Sequence, residues 1–102
     1  MELKFDSAQY DKLQEILAAE IAERVMIKLR EAGLEGAALE ESTASITFSI
    51  ASVIDDMAGI ESDGATVNPY LTFRTDDEEL LHCGENSCVN TFVYDALKKL
   101  FS

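Results

Sequence analysis

One stripe of apolar residues, Tyr10, Leu13, Leu17, Ile21, Val25 and Leu29, constrains this chain more than any other feature of it. Steps of three and four residues put these side chains along one side of an α-helix, and a strand, with its two-residue repeat, cannot group them so. The flanks agree with a helix. Asp6 or Ser7 can accept bonds from its first free amides, and Asp11 adds negative charge near its positive end. Lys28 and Arg30 stand in the last turn, and Gly33 can take the left-handed backbone that stops a helix. The expected helix covers residues 7–32. Ile16, Met26 and Ile27 fall off the stripe, so a second side of this helix is expected to be covered, by the rest of the domain or in a homodimer.

The remainder of the chain reads as strands closed by a second helix. Residues 33–43 form a connector, with at most a short helical turn at Ala37 to Leu39. The next segment supports two readings. Ile46, Phe48 and Ile50 alternate with Thr47 and Ser49 as in a half-buried strand, while Leu39, Ile46, Ile50, Val53, Met57 and Ile60 also fall at helical spacing. Ser, Thr and β-branched residues crowd residues 43–54 and disfavour a helix interior, which favours a strand over 45–54. Asp63-Gly64 and Asn68-Pro69 mark turns. Tyr70 to Thr75 reads as a strand with Tyr70, Thr72 and Arg74 on one face, Asp76 to Glu78 as a hairpin loop, and Glu79 to Cys83 as the returning strand. Ser87 is the expected cap of a final helix over 87–101, whose stripe is Val89, Phe92, Val93, Ala96, Leu97 and Leu100. The expected fold is a small single α+β domain spanning residues 1–102, in α-β-β-β-α order, with a three-stranded antiparallel sheet packed against the helices. This order resembles that of double-stranded RNA-binding domains in topology alone. Those domains meet phosphates with lysines and arginines, and shared topology does not carry function across.

Charge narrows the functional classes. The chain holds 20 acidic and 8 basic residues, a net of −12. Residues 31–97 contain 14 of the acids and a single base, Arg74. Such a field repels phosphate backbones and anionic lipids and attracts basic surfaces, so direct nucleic-acid and membrane binding are not expected. No apolar run reaches the length of a membrane span, and the first residues lack the basic and apolar regions of a secretion signal, so the expected location is the cytoplasm.

Residues 82–88, His-Cys-Gly-Glu-Asn-Ser-Cys, form the only cluster of reactive side-chain types. His82 and Cys83 would point to opposite faces of a strand, which argues against a catalytic pair. A zinc site would need a fourth ligand from outside the cluster. Cys83 and Cys88 are therefore read as free structural thiols, with a thiol- or metal-dependent enzyme or redox protein as the alternative. Cys88 stands at the start of the last helix, where the dipole lowers a thiol's pKa and burial raises it. The carboxylates at Asp76 to Glu79 suit a solvated hairpin tip better than acid–base chemistry, which needs unlike environments. No cofactor is expected. The reading from sequence is a non-enzymatic, acidic protein-interaction module. In its sharper form it imitates the charge of nucleic acid and antagonises a protein with a basic surface, as inhibitors encoded by phages and mobile elements do. Its partner-binding residues would be Asp76, Asp77, Glu78, Glu79, Glu40, Glu41, Tyr70 and Arg74.

Overall fold

A computed structural model describes all 102 residues. The element order is β1 (Leu3–Phe5), α1 (Ser7–Glu31), α2 (Gly36–Ile54), β2 (Ile60–Ser62), β3 (Ala65–Val67), β4 (Phe73–Arg74), β5 (Leu80–His82) and α3 (Val89–Leu100). It is an α+β fold, but not the one expected. Three helices replace two, an unforeseen strand precedes the first helix, and the three-stranded sheet is mixed, not antiparallel. The topological likeness to double-stranded RNA-binding domains lapses with it.

Helix α1 starts and stops where its signals lie. The Asp6 side chain accepts a bond from the Gln9 amide at 3.1 Å. At the far end Gly33, at φ +102°, donates to the Arg30 carbonyl while Leu34 donates to that of Leu29, a Schellman closure. Asp11 does not act on the helix start; it accepts a bond from Gln14. The fully covered line is Tyr10, Gln14, Ala18, Ala22 and Met26, with the predicted Leu13, Leu17, Ile21, Val25 and Leu29 half-buried around it. Alanines on that line let neighbouring helices approach closely, and the bulkier side chains fill the flanks. Met26, expected on a second side, thus belongs to the core, whereas Ile16 and Ile27 are exposed.

The segment 45–54 is helix, not strand, and α2 begins inside the expected connector. Leu39, Thr43, Thr47 and Ala51 recur every four residues as its buried line. Thr43 and Ser52 each donate their hydroxyl to the carbonyl four residues earlier, at 2.7 and 3.0 Å. Such back-bonding lets hydroxyl residues sit in a helix without competing for its amides. At the C-terminal end Asp56 takes the left-handed conformation (φ 59°) that closes α2. A short turn, residues 32–35, makes α1 and α2 neighbours, and α3 packs on both. Ala18, Ala51, Val89 and Val93 join the three helices in one fully buried cluster, with Leu17, Phe48, Ile54, Leu71, Phe92 and Leu97 around it.

Of the strand expected at Tyr70 to Thr75 only Phe73–Arg74 forms, because Pro69 to Thr72 runs along the helices instead; the Tyr10 hydroxyl donates to the Leu71 carbonyl at 2.6 Å. The turn over residues 75–79 joins β4 antiparallel to β5, as the acidic loop predicted. On its other side β5 pairs in parallel with β1, Leu3 opposite Leu80 and Phe5 opposite His82. Asp63-Gly64, both at positive φ, turn the separate hairpin of β2 and β3. The molecule is a slab of 45 × 36 × 19 Å. No helix is long and apolar enough to cross a membrane.

Candidate functional site

The densest polar cluster sits where α2 ends and α3 begins. Asp55, 2% exposed, terminates α2 and turns its carboxylate onto the next helix. One oxygen accepts from the Ser87 hydroxyl (2.6 Å) and the Val89 amide (2.9 Å). The other accepts from the Asn90 amide (2.9 Å) and the Asn90 side chain (2.7 Å). A helix start presents orphan amides and partial positive charge, so a buried carboxylate is held there by both. Gln14 completes the arrangement from α1. Its carbonyl oxygen accepts from the Cys88 amide at 2.7 Å, and its side-chain N–H faces the Cys88 sulfur at 3.8 Å. Ser87 therefore does not cap α3 as its position suggested; Cys88 is the cap residue without a capping side chain, and Asp55 and Gln14 supply the acceptors from two other helices.

Burial governs the chemistry of this cluster. It pushes the Cys88 thiol up from its ordinary value of 9.0, and the bond from Gln14 opposes this without cancelling it. It also pushes Tyr10 up to about 12, with the neighbouring Cys83 thiol adding to the effect. Neither group is poised to ionise near neutrality, and a raised thiol pKa means a weak nucleophile. Cys83 and Cys88 are both free thiols, the former donating to the Glu85 carbonyl at 3.2 Å. His82 accepts the Gly84 amide and meets the Phe5 ring edge-on, so it does not pair with Cys83. No three His, Cys, Asp or Glu side chains converge as metal ligands would. The polar cluster reads as a clasp between helices.

The residues singled out for partner binding are dispersed. Asp76, Asp77 and Glu78 are exposed and Glu79 half-exposed in the β4–β5 turn, next to β4, whose Phe73 lies beside Leu13, Leu17 and Glu20 of α1. Glu40 and Glu41 are exposed near the start of α2, a separate element that follows the C-terminal end of α1. Arg74 is exposed on β4, and Tyr70, 48% exposed, borders an apolar hollow with Val53, Ile54, Pro69 and Leu71. Tyr70 and Arg74 flank the packed Phe73, whose ring meets Tyr10 at 5.2 Å. The three ion pairs in the protein, Lys12–Glu15, Arg24–Glu20 and Lys28–Glu31, all lie on α1. Past Glu31, no acid is ion-paired, and Asp55 alone among these acids is fully buried.

Sequence reasoning missed the Asp55 clasp and one surface. Ile46, Ile50 and Val53 on α2 are 40%, 37% and 43% exposed. The helical spacing of these residues was visible in the sequence and could have found them; nothing local could have paired Asp55 with a helix more than 30 residues later. No protein-family model matches the chain, and no curated protein or solved structure matches it.

Proposed function

We propose that this chain is a non-enzymatic module that binds a protein with a basic surface, and that it acts in the cytoplasm as an antagonist imitating the charge of nucleic acid. The observation that carries this reading is that the acids past Glu31, the buried Asp55 apart, are exposed or half-exposed and form no ion pair. A protein that used acidity only within its own fold would pair or bond more of it. Their spread supports a macromolecular partner over a small cation, since Glu40-Glu41 on α2 and Asp76 to Glu79 in the β4–β5 turn belong to separate elements and no three carboxylates converge on one point. An extended basic groove can meet both.

The test begins with capture of the partner and proceeds to its association kinetics. Replacing Asp76 and Asp77 with Asn and Glu78 and Glu79 with Gln should slow association about tenfold at low salt, flatten its salt dependence and leave dissociation nearly unchanged. Glu40→Gln with Glu41→Gln, made separately, should give a smaller effect of the same kind. Association that is insensitive to both sets, at low and high salt alike, rejects the reading.

A further inference from the structure

A slab 19 Å thick is unusual for a chain of this size, and its surface is too large. A folded monomer of 11.2 kDa is expected to expose about 5,700 Å² from the relation between surface and mass. This chain exposes 6670 Å², an excess of roughly 1,000 Å², where each partner in a stable interface contributes about 800 Å². Its radius of gyration, 15.3 Å, likewise exceeds the about 12.8 Å of a compact domain of this length.

Helix α2 carries an exposed apolar side. Helix α3 covers one side of α2 through Ala51 and through Phe48, whose ring meets Tyr94 at 5.4 Å. Ile50 follows Phe48 by two residues, about 200° around the helix, so it faces away from α3. Ile46 and Val53 flank it on that side, and Val53 continues into the hollow bordered by Tyr70. From Ser42 to Ile54 the chain holds no charged residue, although 27% of all its residues are charged.

We propose that this face joins two copies of the chain in an isologous dimer centred on Ile50, with Tyr70 at its edge. Charge selects a second copy as the occupant. Two molecules of net charge −12 repel wherever acids face each other, and α2 from Ser42 to Ile54 brings none. A basic partner would find no acid here to pair with, so the dimer goes beyond the acidic recognition proposed above and does not depend on it.

Sedimentation velocity of the unmodified chain between about 1 and 100 µM tests the proposal, a range that reports micromolar association. The expected species has twice the 11.2 kDa chain mass, and it should tighten with added salt as repulsion is screened, whereas binding of a basic partner should weaken. Ile50→Glu should weaken the dimer by at least about a hundredfold, because each dimer carries the change twice at its centre, with helix content unchanged. Should that variant not fold, isotope-filtered NMR on a mixed-label sample of the unmodified chain decides, with contacts between chains expected at the Ile46, Ile50 and Val53 methyls and the Tyr70 ring. A chain that stays monomeric at the top of the range overturns the proposal. So does a dimer that survives a folded Ile50→Glu, or one whose inter-chain contacts lie elsewhere.

Discussion

Asp55 is the residue whose removal should damage this fold most for its size. Asp55→Ala strips four acceptor contacts from the start of α3, two of them from backbone amides that have no other partner there. Loss of a helix cap costs about 0.5–2 kcal/mol. Each buried donor left unsatisfied adds about 1–3 kcal/mol, and here these are the Val89 amide and the buried Ser87 hydroxyl. The Asn90 side chain is only half-buried and can turn to water, so its share is small. The sum expected is about 2.5–8 kcal/mol, a large fraction of the about 5–15 kcal/mol that holds a typical domain. Urea unfolding followed by far-UV circular dichroism measures it. Asn90→Ala leaves the two oxygens bonded to Ser87 and to both amides and should cost about 1 kcal/mol. Asp55→Asn keeps the shape but turns an N–H toward donors, and should fall between the two. A cost below about 1 kcal/mol for Asp55→Ala would refute the view that the carboxylate clasps α3.

The other predictions concern the two groups beside that clasp. Tyr10 ionises near pH 12 when folded against 10.0 when unfolded, so folding favours its neutral form. Its contribution is whole below pH 10 and is lost as pH climbs toward 12; by linkage the loss is about 2–3 kcal/mol. Urea midpoints measured across that range should fall more steeply for the parent chain than for Tyr10→Phe, and parallel curves would count against it. Burial also raises the Cys88 thiol, so a thiol reagent should label Cys83 first and Cys88 slowly in the native state, the two becoming alike in urea. Equal native rates would contradict the environment described for Cys88.

What could be read in advance follows from where the deciding contacts lie. The bounds of α1 are written within it, at Asp6 and Gly33, and a local reading finds them. The β4–β5 turn is equally local, its acids announcing a solvated tip. Helix α2 was missed because residues 43–54 carry side chains with strand preference, and the preference is overruled from outside. Ala51 packs into a cluster with α1 and α3, and Thr43 and Ser52 satisfy their hydroxyls on the helix itself. The apparent alternation of Ile46, Phe48 and Ile50 was a coincidence of spacing, since Phe48 faces α3 and the two isoleucines do not. Strand β1 has three exposed residues and no pattern to detect. At the candidate site the thiols read as structural sit beside groups drawn from α1, α2 and α3, and only the folded chain brings Gln14 and Asp55 to Ser87 and Cys88.

The parallel pairing of β1 with β5 has a consequence for how the chain assembles. Leu3 meets Leu80 across 77 positions, so the first strand described is matched by the last. Closing a loop of that length carries an entropic cost that three residue pairs repay poorly on their own. The helical hairpin of α1 and α2, by contrast, needs only a four-residue turn, residues 32–35. Contact order therefore divides the molecule in two, a quickly formed helical part and a seam that closes late over it. Until that seam closes, β1 is a short open edge with free amides, and the chain must carry it unpaired until β5 has been made.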